Sequence, residues 1–448
     1  MALNDGSFLG SEKIGKILLR LAPPVMLSQL IQALYNIVDS FYVGKYSADA
    51  LTALTVIYPL QLIIVALAVG TGVGVNTYMA RKYALNEDDQ ANATAGTGMV
   101  LALVSWAIFA VIAMLILKPF VRTGATEPQA IAYAETYGTI VCLGSLGSFL
   151  EGCWSKVHQS RGNMKLPMLA QVAGALVNIV LDPILIFGKF GLPEMGVAGA
   201  AYATVLGQFT AAVMTGIKGF RKPPKLHEMG RYIKKIYYYG YSSILMQSLY
   251  TVYIVILNAI LSQFSDAAVT VLGLYYKMQS FFFIPLFGLQ TCVVPVLSYN
   301  LAKEYYARIR ETMRGSFLIS SVFMLVGMAC FILMPETLMR LFSDSAQVIE
   351  IGKVAFPIIG TSFICAVFSL MMPVFFQAIG EGVPSLMLSL TRQIFCLVPA
   401  FWLLTRIDLN YGWAAFPIAE TVTGAIGLLL YRKKLAQWGL MRAAEEKP

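Results

Sequence analysis

Asp39 closes a series of polar residues, Ser28, Gln32, Tyr35 and Asn36, that falls at i, i+4, i+7, i+8 and i+11. On a helix that spacing gathers all five on one face. A second series, Gln171, Asn178 and Asp182, runs at i, i+7 and i+11 and is followed at once by Pro183. A third is short: Thr204 and Gln208 at i, i+4, set among Gly196, Gly199, Ala200, Ala201, Ala203 and Gly207, a small-residue surface that lets another helix come close. If the three faces meet, two carboxylates, a carboxamide and a hydroxyl converge. Such a set suits a hard cation bound through oxygen, or a proton shared by two carboxyls that resist ionising together. The first face has a plainer alternative, a helix–helix hydrogen-bond seam ending at an interfacial Asp39, which Ser40, Tyr42 and Gly44 just beyond it weigh against.

The elements that would carry these residues are apolar. Hydrophobic residues make up 58% of the chain and charged residues 13%, with mean hydropathy +0.69, outside the soluble globular range. Windows long enough to cross the hydrocarbon layer lie near 17–43, 51–80, 95–117, 131–154, 166–188 and 196–217, then 236–263, 268–299, 315–341, 351–378, 386–405 and 410–431. The expectation is an all-α membrane protein of twelve spans. In that setting an ionisable side chain costs about 2.5–3.5 kcal/mol at mid-membrane, so each one is a functional candidate. Besides the two acids, Glu151, Lys277, Lys353, Arg392 and Glu420 fall in or near the spans, where they can pair or snorkel.

With the termini and the even-numbered connections on one side, that side holds Arg81, Lys82, Lys156, Arg161, Lys165, the basic 218–235 run, Arg308, Arg310 and Arg314. The other holds Lys45, Lys118, Arg122, Lys189, Arg340 and Arg406. The positive-inside rule then places both termini in the cytoplasm of a multi-pass cell (inner) membrane protein. The net charge of +9 reads as a topology signal rather than a nucleic-acid surface. Residues 1–12 lack a basic region and a cleavage site, so no removable signal peptide is expected. The six cysteines sit in predicted spans with no CxxC spacing and read as packing residues. His158 and His227 are expected in cytoplasmic loops, without metal-ligand spacing. Gly70-x-Gly72-x-Gly74 follows no strand and reads as a helix-packing surface, and no Walker loop is present.

The chain repeats itself at an offset of 218: Gln29 falls on Gln247, Ser47 on Ser265, Gly70 on Gly288, Arg122 on Arg340 and Gln159 on Gln377. Six spans per copy make the copies parallel, related by a pseudo-two-fold along the membrane normal, with a central cavity between them. The expected division is an N-terminal lobe over 1–217, a basic linker over 218–235 containing Pro223-Pro224, and a C-terminal lobe with a short tail over 236–448. At the same offset Asp39 meets Leu257 and Asp182 meets Ala400, so coupling chemistry is expected in the first copy alone. The seventh span keeps a neutral polar face at Gln247, Tyr250, Thr251 and Asn258, suited to a cavity wall.

Ala22-Pro23-Pro24 leading into Leu34-Tyr35-Asn36-Ile37-Val38-Asp39-Ser40-Phe41-Tyr42-Val43-Gly44, then Gln159-Ser160-Arg161-Gly162, Asn178-Ile179-Val180-Leu181-Asp182-Pro183 and Gly196-Val197-Ala198-Gly199, resembles the multidrug and toxic compound extrusion (MATE) family over nearly the whole chain. The resemblance implies a proton- or sodium-coupled antiporter, working by alternating access, that exports small amphipathic and often cationic organic compounds. It implies a cation site at Asp39, Asn178, Asp182 and Thr204, substrate contacts at Gln32, Tyr35, Asn36 and Gln171, and a hinge at Pro23-Pro24, while the polar faces read above add Gln208 and Gln247 as cavity positions. Gln247 and Gln377 stand where some members carry acids in the second lobe, so no cation site is expected there. No cofactor is expected beyond H+ or Na+, and the partners expected are small-molecule substrates and lipid, with the chain acting as a monomer. The nearest rival is a lipid-linked precursor flippase of the same superfamily, which would want basic residues for pyrophosphate. A membrane-embedded enzyme would want Asp-x-x-Asp or a Ser/His/Asp set at the interface, and neither occurs, so the chain reads as no enzyme.

Overall fold

A computed structural model describes residues 6–124, 127–343 and 345–439. Residues 1–5 and the tail beyond Gly439 lie outside it. Among the described residues the regular structure is entirely helical: α1 (Phe8–Ser11), α2 (Ile14–Tyr46), α3 (Ala48–Ala84), α4 (Asp88–Gly124), α5 (Pro128–Gly144), α6 (Leu146–Ser160), α7 (Lys165–Phe187), α8 (Val197–Gly219) and α9 (Leu226–Leu261). The series continues with α10 (Asp266–Phe282), α11 (Ile284–Ala302), α12 (Tyr306–Leu333), α13 (Pro335–Arg340), α14 (Ala346–Gly360), α15 (Phe363–Ala378), α16 (Gly382–Leu390), a π-helical stretch Thr391–Leu397, α17 (Val398–Thr405), α18 (Leu409–Gly412) and α19 (Ala415–Gln437).

Among the described residues ten runs are long and apolar enough to cross a membrane, and α14 with α15 adds an eleventh, bent by 58°. Taking α5 and α6, which meet at Ser145, as one broken span brings the number to the twelve expected. Hydropathy alone missed the breaks. The window 268–299 is interrupted at Phe283, and the connection read over 218–235 contracts to 220–225, because α9 already starts at Leu226. Its first turns are basic and aromatic, a composition that a helix end at the membrane surface accommodates by snorkelling.

The chain separates into two compact units, one made of Pro23–Ile244 and the other of Phe8–Ala22 with Leu245 onward. In the first, α7 packs on α8, α3 on α4 and α6, and α6 on α8. Gly174 and Gly207 set the α7–α8 distance: a Cβ on either would stand 2.6 Å from the other's carbonyl oxygen. In the second unit α15 packs on α19 and α12, around an aromatic core in which Phe331 stacks on Phe356 at 4.6 Å and meets Phe363 at 4.7 Å. Here too the N-terminal segment is held: Asn300 Nδ2 donates to the Leu9 carbonyl at 3.0 Å and Arg308 Nη2 to the Glu12 carbonyl at 2.6 Å.

The 218-residue offset governs the helices as well as the letters: Ala48 and Asp266 start α3 and α10, Asp88 and Tyr306 start α4 and α12, and Val197 and Ala415 start α8 and α19. Left-handed backbone recurs at the same offset. Asn86 and Glu304 have φ 58° and 59°, and Gly162 and Gly380 have φ 74° and 84°. Both glycines terminate helices in the αL conformation that a Cβ disfavours, which explains the glycine of the Gln159-Ser160-Arg161-Gly162 segment.

Candidate functional site

Four of the predicted residues meet in the first unit. Asp39 comes from α2, Asn178 and Asp182 from α7, and Thr204 from α8; all four are buried, Asp182 completely. Asn178 Nδ2 donates to Asp182 Oδ1 at 3.3 Å and to Thr204 Oγ1 at 3.4 Å. The Asp39 and Asp182 carboxyls come within hydrogen-bond reach of each other. Three oxygens here, Asp39 Oδ1, Asn178 Oδ1 and Asp182 Oδ2, are buried without a hydrogen-bond partner. Unsatisfied buried acceptors are costly unless a proton or a cation meets them.

Local geometry explains the convergence. One residue four positions before Asn178 is Gly174, and three after Thr204 is Gly207, the two glycines whose backbones nearly touch. Their approach lets a short hydroxyl and a short carboxamide reach each other across α7 and α8. Pro183 lies inside α7 next to Asp182, where it removes a ladder donor without ending the helix.

Other predicted positions are less concentrated. Tyr35 is half-buried, in electrostatic range of both acids and of Tyr58. Gln32 and Asn36 are exposed on the same helix, and Gln171 is half-buried on α7. Gln208 is half-buried with Oε1 unpartnered. Ser28 leaves the set, because its hydroxyl donates back to the Val25 carbonyl at 2.8 Å. Gln247 is exposed in the second unit. Pro23 and Pro24 lie within an unbroken α2, where the chain passes from one compact unit to the other.

Two residues of the site were not read from the sequence. Tyr137 on α5 is 2% exposed, hydrogen-bonds Thr204, and accepts from Gln61 Nε2 at 3.3 Å. Tyr137 has only Tyr133 at helical spacing, and no carboxylate or carboxamide to mark a polar face. Gln61 did leave a signal, since Tyr35, Tyr58 and Gln61 recur at the repeat offset as Tyr253, Tyr276 and Gln279.

Four of the five other charged residues in or near the spans have local partners, and the fifth, Lys277 on α10, is exposed. Glu151 Oε1 accepts from Ser155 Oγ at 2.5 Å, and Lys353 pairs with Glu336 at 2.6 Å. Arg392 and Glu420 form a buried ion pair in the second unit at 2.6 Å. His158 corrects the loop expectation: it lies on α6, 5% exposed, with Nε2 2.9 Å from the Thr215 carbonyl oxygen. Its helix runs on to Ser160, past the point where the apolar window closed.

The MatE family model matches residues 24–184 and again 242–402, two stretches separated by the repeat offset. A probable multidrug resistance protein NorM of Thermotoga maritima is 26% identical over 368 residues, covering 78% of this chain and 76% of that protein. An FAD transporter of Shewanella oneidensis is 24% identical, with 94% and 95% covered. Among solved structures, an outward-facing multidrug resistance MATE family transporter of the MOP superfamily superposes with a TM-score of 0.89 at 23% identity, covering 97% and 98%. A MOP superfamily transporter from Pyrococcus furiosus, described as having a binding pocket of reverse polarity, superposes with a TM-score of 0.90 at 24% identity, covering 97% and 98%.

Proposed function

The chain belongs to the MatE family, and from that premise we propose that it is a proton- or sodium-coupled antiporter exporting small amphipathic, often cationic organic compounds. The observation that carries this reading is the buried group of Asp39, Asn178, Asp182 and Thr204 with its three unpartnered oxygens. Two carboxyls in contact cannot both stay ionised away from water, so the pair is held together by a proton or by a hard cation. An organic cation competing for the same negative charge, or favouring a different setting of α2, is then exchanged for the coupling ion. Pro23 and Pro24 give α2 a point at which its ladder is already interrupted.

The excess of lysine and arginine on one side of the spans supports a cytoplasmic position for both termini. Transport of a lipid-linked pyrophosphate is disfavoured, since the ionisable residues of the buried group are both acids. The test uses purified protein in proteoliposomes loaded with a fluorescent cationic dye, under imposed sodium or proton gradients. The parent should move dye down one of the two gradients, and Asp39→Asn or Asp182→Asn should abolish that coupling with the protein still monodisperse. Dye movement that ignores both gradients and both substitutions overturns the proposal.

A further inference from the structure

The second copy keeps the frame of the coupling site and changes its contents. Tyr253, Tyr276 and Gln279 stand at the positions of Tyr35, Tyr58 and Gln61, while Leu257, Cys396, Ala400 and Val422 replace Asp39, Asn178, Asp182 and Thr204. Within that frame Tyr253 and Tyr276 have ring centroids 6.3 Å apart, and Gln279 Nε2 donates to Tyr275 Oη at 3.1 Å. Tyr253 and Tyr275 both lie in electrostatic range of Arg392 and Glu420. Tyr253, the counterpart of Tyr35, thus has an ion pair in range where Tyr35 has two acids, although Arg392 and Glu420 themselves fall at the offset on Gly174 and Tyr202.

The pair is hydrogen-bonded from both sides. Arg392 Nε donates to both Glu420 oxygens, at 2.9 and 3.0 Å, Nη2 donates to Oε1 at 2.6 Å, and Ser369 Oγ donates to Oε2. No atom of Arg392 or Glu420 is among the buried unpartnered ones, in contrast to the three open oxygens of the first copy. Arg392 lies on the π-helical stretch Thr391–Leu397, whereas residues 173–179 of α7, its counterpart, are α-helical. A π-turn re-registers side chains locally and recurs at functional positions. Apolar residues would fill such a site at no greater cost than a buried ion pair, so packing alone does not call for one.

We propose that Arg392 is a resident counter-ion: a tethered guanidinium that does permanently for Glu420 what an exchangeable cation does for Asp39 and Asp182, so that one cation site cycles and the other is held closed. The proposal rests on the coupling reading above, because it takes the first copy's acids to be the exchanging ones. The charged or titratable groups facing Glu420 are Arg392, Tyr253 and Tyr275, with Ser369 as the remaining polar partner.

The experiment measures dye exchange against coupling-ion concentration in proteoliposomes for the parent, Arg392→Gln and Arg392→Lys. Freed of its guanidinium, Glu420 should recruit a second ion. The Hill slope should rise from about one in the parent toward the two-site ceiling of two in Arg392→Gln, with exchange depressed at the parent's half-saturating concentration and restored at high concentration, and Arg392→Lys should return the slope toward one. A parental slope in Arg392→Gln, a folded Arg392→Gln inactive at every concentration, or a slope near two in Arg392→Lys overturns the proposal. If Arg392→Gln does not accumulate in the membrane, Arg392→Gln combined with Glu420→Gln decides. A neutral pair restores accumulation and the single step if an uncompensated carboxylate was the defect, and failure of the paired variant overturns the proposal. A parent without ion-driven exchange is instead a failure of the coupling reading. Thermal stability of detergent-purified Arg392→Gln then tests the counter-ion separately: stabilisation by the added ion beyond the parent's supports it, and an equal response overturns it.

Discussion

Asn178 donates its amide hydrogens to Asp182 and Thr204, which leaves its buried carbonyl oxygen without a partner. Removing that carboxamide takes away one oxygen ligand and two hydrogen bonds that orient the others. A bond to a charged group is worth roughly 1.5–3 kcal/mol, so Asn178→Ala should raise the half-saturating concentration of the coupling ion at least about tenfold. An unchanged ion dependence in the dye assay would remove Asn178 from the site. Tyr137→Phe deletes only a hydroxyl that bridges Gln61 and Thr204, and a shift of a few-fold in the same curve is expected. Asp39, Asn178, Asp182 and Thr204 were legible in the sequence because polarity amid apolar residues is costly, and helical spacing then assigned their faces. Tyr137 was not, since a tyrosine in a span is equally at home as packing. Outside the membrane core, Lys353 and then Arg340 hold the Glu336 carboxyl below its usual range. A lowered folded-state value means a contribution that is present above pH 4.5 and lost as the pH falls through that lower value. Glu336→Gln should flatten only that acid limb of a thermal-stability profile, and slightly, because the group is exposed.

The site depends on how closely α7 and α8 approach, and that distance belongs to the helices. Gly207→Ala would put a Cβ 2.6 Å from the Gly174 carbonyl oxygen, a contact relieved only by moving one backbone. Overpacking of this kind costs roughly 1–3 kcal/mol, and the displacement separates Thr204 from Asn178. Gly207→Ala should therefore weaken ion coupling and lower the thermal midpoint together, while Gly273→Ala, on α10 with nothing within 4 Å of a new Cβ, should do neither. Equal effects from the two would show that glycine loss, and not helix separation, matters. The small-residue surface around Gly199 and Gly207 was readable from sequence, but its partner was not: Gly174 stands alone between Ala173 and Ala175 and carries no sign of which helix it faces. Breaks inside spans were equally hidden. The bend between Gly360 and Phe363 and the π-helical turn at Arg392 both fall in apolar windows, because hydropathy records what a residue prefers and is blind to a shift of the hydrogen-bond ladder.

Duplication was legible at the scale of the whole chain because one offset served loops and helices alike, and the family match divides at that same offset. What the repeat preserves is backbone: helix starts, the left-handed residues Asn86 and Glu304, and the helix-ending Gly162 and Gly380. Buried charge is where the copies diverge, and this makes the whole protein a reporter of its own cation. A ligand that binds the folded state alone stabilises it by RT ln(1 + [L]/Kd), about 2.7 kcal/mol at a hundredfold excess. If the first copy's acids take the coupling ion and Glu420 already has its guanidinium, the ion should raise the thermal midpoint of detergent-purified parent by a few degrees, saturating as one site. The Asp39→Asn, Asp182→Asn pair should lose that shift entirely, since its amides no longer supply the negative charge that the ion neutralises. Titrating sodium at fixed pH and protons at fixed sodium, with intrinsic tryptophan fluorescence as readout, identifies the ion without any substrate. A shift that survives in the paired variant would place ion binding outside Asp39 and Asp182, and the second copy would then have to be reconsidered as an ion site in its own right.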